Sequence, residues 1–479
     1  MNKKHYDKII NKIMSDNIDV TNRIINFTAS QISVLYIKEL TDSSSLSLEV
    51  IKPLIENKNI LNVNVKTAMD KIIFSSDCKI ESDRVKIEDY ILQGMTVILF
   101  SNDNRYIVIN LKKIAHRTVS NPELNYTLRG PKDCFIENLD TNLSLIRYRL
   151  KDKNLRIDYQ KVGKRTKARV AVIYFEDIAN NKIVSEVKKR IEKVNIDGII
   201  ESGELQAFLL NRKSNFFPQM GIAERSDMAC GALLEGKVVT LVEGSDLALI
   251  APKVLSEFLW SCDDIYDNKY AGFFHRIIRV IALMLSLTAP AMYVAIVSFH
   301  NDILPSDYII AISQARAKVP FNAVIEVLLI EIIVALLVEG LVRVPKKIGT
   351  AVSIVGAIII GEAAIAAEIF SPLLLIVVSI ALISAFVPSD YTLVSTFRFL
   401  RFSFIIITGI FGLYGFILGI TLLLAQLVST NSFGVAYMTP FAPFITKDAI
   451  KSLFYDKTLA PRRPYFLRTK DKYRGKIQE

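Results

Sequence analysis

The residues best placed to do chemistry are carboxylates in an apolar setting. Glu326 and Glu331 lie within the apolar stretch Phe321–Val342, with Glu339 near its end. Glu362 and Glu368 lie in the next such stretch, Ile348–Glu368. Ionisable groups at hydrocarbon depth are costly unless they face protein or water. A ring of carboxylates contributed by several copies of a chain would attract cations and repel anions. Glu326, Glu331, Glu362 and Glu368 are therefore the candidate lining of an ion route. Glu331 and Glu362, deepest from their segment ends, rank first. The competing reading makes them interfacial, or protonated and hydrogen-bonded between helices. Other chemistry finds no support. There is no P-loop, HExxH or GxSxG motif, and Gly198–Gly203 lacks the GxGxxG spacing. His5, His116, His275 and His300 are dispersed, so no metal constellation is visible. Asp263-Asp264 reads as a solvated cap rather than a catalytic dyad. Nothing points to an enzyme or to a cofactor.

The elements that must position these carboxylates occupy Val280–Val428. Val280–Phe299, Ile369–Val387 and Phe404–Val428 carry no charge, and runs of about 18 or more apolar residues read as membrane-spanning helices. Ala357, Gly361, Ala364 and Glu368 fall on one helical stripe suited to close helix contact. Gly409, Gly412, Gly415 and Gly419 form a similar face on the last segment, for which packing is the favoured role. Membrane lipid is thus an implied partner.

Length and composition bound the remainder. The 479 residues have room for two or three domains, and the 51% hydrophobic content is concentrated after residue 275. The net charge of +11 sits largely in the soluble part, near membrane boundaries and in the tail, where basic residues favour the cytoplasmic side. No nucleic-acid partner is expected. Cys78, Cys134, Cys230 and Cys262 are scattered without a CxxC pair, as in a reduced cytoplasmic domain. Met1–Asn17 is polar and shows no signal peptide.

The soluble part reads as a duplicated lobe. Residues 6–28 could form an amphipathic helix. Ser33–Asp42, the helical Leu48–Asn57, Leu92–Phe100 and Tyr106–Leu111 give a strand, helix, strand and return strand. Ala171–Asp177, Lys182–Val194, Leu234–Val242 and Leu247–Ile250 repeat that order. Between them Pro131 can open a helix, with Phe135, Leu139, Leu143, Ile146 and Leu150 as its apolar stripe. The basic stretch Arg147–Arg169 reads as a solvated linker in preference to a lipid-headgroup contact. The expected fold is an α/β cytoplasmic region of two similar lobes followed by an all-α polytopic transmembrane domain. Its divisions are an N-terminal helical segment (1–30), a first lobe (31–130), a helical basic linker (131–167), a second lobe (168–270), a multi-pass domain (271–446) and a basic tail (447–479).

Co-linear motifs carry a family resemblance from about residue 30 to 465. They are Arg129–Leu139 with Thr141-Asn142 and Leu145-Ile146-Arg147, then Gly231–Gly236, Pro290–Ala295 and Ser298-Phe299-His300. Val319-Pro320-Phe321, Arg343-Val344-Pro345, Ile348–Gly356 and Ser432–Tyr437 complete them. With these the chain resembles the GerA spore germination family, the A-type subunits of nutrient germinant receptors and their SpoVAF-like relatives. The family's Thr-Glu-Arg-Pro-Asp loop appears as Ala223-Glu224-Arg225-Ser226-Asp227. The segment Asp263-Asp264-Ile265-Tyr266 is less aromatic than usual. The resemblance implies a role in starting germination, a transporter-like B subunit and a lipoprotein C subunit as partners, and an oligomeric ion-conducting assembly in the spore inner membrane.

Charge flanks set a topology problem. His275, Arg276 and Arg279 before the first span, and the basic tail from Lys447, place both termini inside. That requires an even number of crossings, yet hydropathy gives five segments. Either Phe321–Val342 is re-entrant, leaving four, or a partial crossing near Ser432–Phe444 completes the count. A receptor-complex subunit forming part of an ion pathway is the leading reading. A secondary transporter would predict inverted repeats, and no second copy is visible. A non-conducting membrane scaffold would not need so many intramembrane carboxylates.

Overall fold

The structure, a computed structural model, describes residues 3–16, 19–28, 30–60, 63–113, 130–210, 216–261, 263–266, 268–343, 362, 365–388, 390–453 and 462–473. The chain divides into two compact units. The first comprises Met1–Asn211, Met220–Pro252 and Pro461–Glu479; the second comprises Arg212–Gln219 and Lys253–Ala460.

The first unit holds two five-stranded antiparallel sheets. Strands β1 (Val20–Asn26), β2 (Gln31–Ile37), β3 (Cys78–Glu81), β4 (Thr96–Phe100) and β5 (Tyr106–Ile109) assemble in the order β1-β2-β4-β5-β3. Strands β6 (Leu155–Val162), β7 (Ala168–Phe175), β8 (Gly221–Ala223), β9 (Val238–Val242) and β10 (Ala248–Ala251) assemble as β6-β7-β9-β10-β8. The second sheet thus repeats the first in order and sense. β4 and β9 are wholly buried, as central strands rich in Val, Leu and Ile must be when both faces are covered. In the first lobe Val34, Ile98 and Ile107 pack with Leu54 and Val65. The other face sets Leu35, Val97 and Leu99 against Tyr6, Ile10 and Ile91.

Four sequence expectations change here. The helix expected over 6–28 ends at Asp16, and Val20–Asn26 is edge strand β1; its β-branched residues favour a strand. The expected linker 131–167 belongs to the second lobe. Helix α1 (Leu139–Arg149), capped by Asn138 Oδ1 accepting from Thr141 N–H at 2.9 Å, buries Leu139, Leu143 and Ile146 in that lobe's core. The basic stretch contains β6, where Leu155 and Ile157 alternate with Arg156 and Asp158. Its arginines have acidic partners: Arg147 meets Asp19, Arg156 meets Glu176 at 2.6 Å, and Arg169 meets Glu243 at 2.8 Å. Leu92 and Leu234, expected to open strands, instead end helices. After α2 (Asn181–Glu192) and the short helix Ser202–Leu209 comes α3 (Ser226–Glu235), which stops at Gly236. Gly94 (φ +82°) and Gly236 (φ +93°) occupy the left-handed conformation that closes a helix. A Cβ at Gly236 would also lie 2.5 Å from Thr469 Cγ2.

That last contact marks the fourth change. The expected tail 447–479 is divided between units. Thr446–Leu453 is a helix of the second unit, while 462–473 packs on the second lobe. Lys470 N–H donates to Ile178 O at 2.9 Å, Asn180 Nδ2 to Leu467 O at 3.2 Å, and Arg463 Nε to Leu234 O at 2.8 Å.

The second unit is helical: α4 (Lys269–Phe299), α5 (Ser306–Arg316), α6 (Ala323–Arg343), α7 (Pro372–Ala385) and α8 (Tyr391–Ser429). One core joins them, with Leu287 and Val294 of α4, Val327 of α6, Leu374 of α7 and Phe397, Phe416 and Leu423 of α8. The expected boundary at residue 271 falls instead at Lys253. Asp264 is not a solvated cap: it is 3% exposed and accepts from Arg279 Nη1 at 2.6 Å and Arg276 Nε at 3.3 Å. The first turns of α4 carry those arginines back onto it.

The single segment expected over Phe404–Val428 doubles back. Gly412 has φ +60° and ψ −141° inside α8. In a straight helix Phe404 and Gly419 would be roughly 22 Å apart along the axis. Yet a Cβ on Gly419 would lie 3.2 Å from the Phe404 ring, and the Phe404 and Phe416 rings meet edge-on at 6.4 Å. The helix is therefore a hairpin of two arms with Gly412 at the tip, against Phe299 and His300 at the end of α4.

Candidate functional site

The carboxylates of the helical unit fall into two sets. Glu331 is 1% exposed, and Arg401 Nη1 reaches both its oxygens at 3.1 Å. Glu331 comes from α6 and Arg401 from the first arm of α8, so the pair pins these helices together. Val324 lies against Gly409 and Glu331 against Arg401. Moving about two turns forward on α6 thus moves about two turns back on the arm, and the helices run antiparallel. Glu326 is fully buried. Its Oε1 accepts from Ser371 N–H at 2.5 Å, Ser371 Oγ lies 3.0 Å from the Tyr293 hydroxyl, and Arg316 Nε stands 3.6 Å from Oε2. A buried carboxylate survives as an ion only with such counter-charges and donors.

The other set faces outward. Glu362 is exposed. Glu368 is exposed and pairs with Lys318 at 2.6 Å, and Glu339 with Arg343 one turn on at 2.6 Å. The four carboxylates expected together on a route are therefore split between interior and surface of the chain. Ala357, Gly361 and Ala364, with most of Ile348–Glu368, lie outside the described residues. Of the second small-residue stripe, Gly409 meets Val324, Gly415 meets Ile407 and Phe411, Gly419 meets Phe404, and Gly412 forms the bend.

Lys253 gathers both feet of the hairpin. Its Nζ lies 2.6 Å from Asp390 Oδ2, and its backbone N–H donates to Ser432 Oγ at 3.2 Å. Asp390 Oδ1 in turn caps α8 through Thr392 N–H at 3.0 Å. Ser432 Oγ donates to Gln219 O at 2.6 Å, and Leu255 N–H donates to Tyr437 O at 2.9 Å. The Ser432–Tyr437 motif thus closes on the chain that follows β10. In the first unit the Arg129–Leu139 and Ala223–Asp227 motifs also meet. Phe135 N–H donates to Glu224 O at 2.8 Å, Ser226 Oγ to Asp133 Oδ2 at 2.8 Å, and Arg225, fully buried, pairs with Asp227 at 2.5 Å. Arg149 beside Asp133 holds that carboxyl below its ordinary range against the opposing effect of burial.

Sequence reasoning missed Lys253, Asp390, Arg316 and the pairing of Arg401. The available signal was Arg398 and Arg401 beside an apolar run, which posed only a topological difficulty. An arginine so placed requires an acid within reach, and Glu331 was the candidate.

These features define a protein with a duplicated α/β unit and a helical unit. Among the described residues, two helices, Tyr270–Phe299 and Tyr391–Ser429, are long and apolar enough to cross a membrane by length and composition. A family profile described as Bacillus/Clostridium GerA spore germination protein matches residues 8–465, and the chain belongs to that family. It is 35% identical over 450 residues to Spore germination protein KA of Bacillus subtilis (strain 168), covering 93% of this chain and 83% of the relative. It is 31% identical over 421 residues to the membrane protein YfkQ of the same organism, covering 88% and 82%. Among solved structures, the N-terminal domain of the A subunit of the Bacillus megaterium spore germinant receptor GerK3 aligns with TM-score 0.40 and 24% identity. That alignment covers 52% of this chain and 93% of that domain.

Proposed function

We propose that the chain is an A-type membrane subunit of a germinant receptor complex, helping convert nutrient sensing into the ion release that starts germination. Membership of the GerA family over nearly the whole chain carries this reading. The subunit works in the spore inner membrane with a transporter-like B subunit and a lipoprotein C subunit, and conducts ions as a homo-oligomer. The division of the carboxylates supports distinct roles. Glu331 and Glu326 hold helices together within one chain, whereas Glu362 and Glu368 face outward, where a route between copies would run. Glu362, which has no cation partner among the described residues, takes first place on that route. The test is conductance of the complex reconstituted in planar bilayers, with and without candidate nutrients. Glu362→Gln should lower cation flux or cation-over-anion selectivity at unchanged assembly. Unchanged rate and selectivity in Glu362→Gln, alone and combined with Glu368→Gln, would remove the carboxylate-lined route.

The hairpin supports an even count of crossings. α4 runs from the Lys253 level to the Gly412 level, α6 and α7 run back, and the two arms of α8 run out and return. With Ile348–Glu368, expected from sequence as a span, the total is six. Neither a re-entrant Phe321–Val342 nor a partial crossing at Ser432–Phe444 is needed to put the first unit and the tail on one side.

A further inference from the structure

A cleft of about 300 Å³ opens where α4 gives way to α5. Val297, Leu304, Ile309 and Ile312 form its apolar side, and Asn301, Ser313 and Arg316 its polar side. The volume is that of a small-molecule site at the lower end of the usual range.

Arg316 is held there by a demand from inside the protein. Glu326 is fully buried, and only one of its oxygens is hydrogen-bonded among the described residues. The other, Oε2, faces Arg316 Nε at 3.6 Å, too long for a hydrogen bond. The buried charge keeps the guanidinium at the cleft, yet leaves its donors incompletely used. The Nη fork makes no hydrogen bond to the described residues. An arginine fork anchored at one edge and open at the other matches a carboxylate with two parallel hydrogen bonds. The aliphatic walls then suit a short hydrocarbon tail on that carboxylate.

We propose that this cleft binds a small aliphatic monocarboxylate, its carboxylate on Arg316 and its branched tail against Leu304, Ile309 and Ile312. Binding at this cleft does not depend on conduction.

The experiment uses the full chain in phosphatidylcholine nanodiscs, so that no anionic lipid competes. Binding of carbon-14-labelled isovalerate is measured by equilibrium dialysis. Saturable binding at one site per chain is expected, with the neutral isostere isovaleramide failing to compete. Arg316→Gln should weaken binding at least tenfold. Because that change strands the buried Glu326 charge, the double variant Arg316→Gln/Glu326→Gln removes both charges at nearly constant volume and should also lose binding while remaining folded. Ile309→Trp fills the cleft with the ion pair intact and should abolish binding. Absence of saturable binding to the native chain would overturn the proposal. So would equal competition by isovaleramide, or native binding by Ile309→Trp and the double variant.

Discussion

Glu331 and Arg401 show what a charge inside a helical core requires. Each is almost wholly buried, so removal of either partner leaves the other uncompensated. Loss of one member of a buried pair costs about 3–5 kcal/mol, whereas replacing both by apolar groups of similar volume is often near neutral. Glu331→Leu and Arg401→Met should each lower the melting temperature of the detergent-solubilised chain sharply. Glu331→Leu/Arg401→Met should recover most of that loss. A double variant as unstable as the sum of the singles would show that the pair is not the unit. Cys230 is a second case of burial governing chemistry. It is 5% exposed, and burial pushes its thiol up to about 12. At pH 8 roughly one thiol in 10⁴ would be thiolate, the reactive form. Iodoacetamide at that pH should leave Cys230 unmodified in the folded chain and label it in denaturant, as read by peptide mass spectrometry.

At the scale of elements the hairpin depends on one backbone position. Gly412 adopts φ +60° and ψ −141°, a conformation costing about 1–3 kcal/mol for a residue with a side chain. A Cβ there would also lie 3.0 Å from Phe299 Cγ and 3.2 Å from His300 Cε1. Gly412→Ala should therefore destabilise the chain by about 2 kcal/mol or more, and Gly409→Ala would crowd Val324 without touching the bend. Distances by double electron–electron resonance between spin labels at Tyr391 and Val428 report the two feet directly. They stay short in the native chain and should lengthen or broaden in Gly412→Ala. Unchanged distances and stability would mean that the bend does not depend on glycine. The stripe Gly409–Gly419 was legible as close packing, but its reversal was not. The run from Phe404 to Val428 carries no charge or proline and no polar turn, so hydropathy sees one span. The strands and helix stops of the first unit were legible where apolar residues alternate. They were misplaced where charge count hid alternation, as in β6, or where a turn glycine extended an apolar run, as at Gly94 and Gly236.

At the scale of the molecule the repeat, the tail and the hairpin together bear on topology. The repeated lobes were readable because each begins with a strong strand and ends in a Gly-led hairpin. The tail was readable as basic but not as part of the second lobe, since its contacts are backbone and side-chain hydrogen bonds to residues more than two hundred positions away. Those contacts hold 462–473 on the second lobe, so the proposed topology requires both to lie on one side of the membrane. Under the proposed six crossings, α4 separates Asp307 from the residues that precede it in sequence. In a background with the native cysteines replaced, three exposed positions report this. Arg165→Cys lies between β6 and β7, Lys472→Cys in the tail, and Asp307→Cys at the start of α5. In vesicles of native orientation, an impermeant maleimide should label Asp307→Cys directly. Arg165→Cys and Lys472→Cys should react alike, and only after permeabilisation. An odd number of crossings would separate the last two, because the tail would then label from outside while the lobe stayed protected. Labelling of Lys472→Cys in sealed vesicles, or protection of Asp307→Cys, would overturn the six-crossing arrangement together with the doubled-back reading of α8.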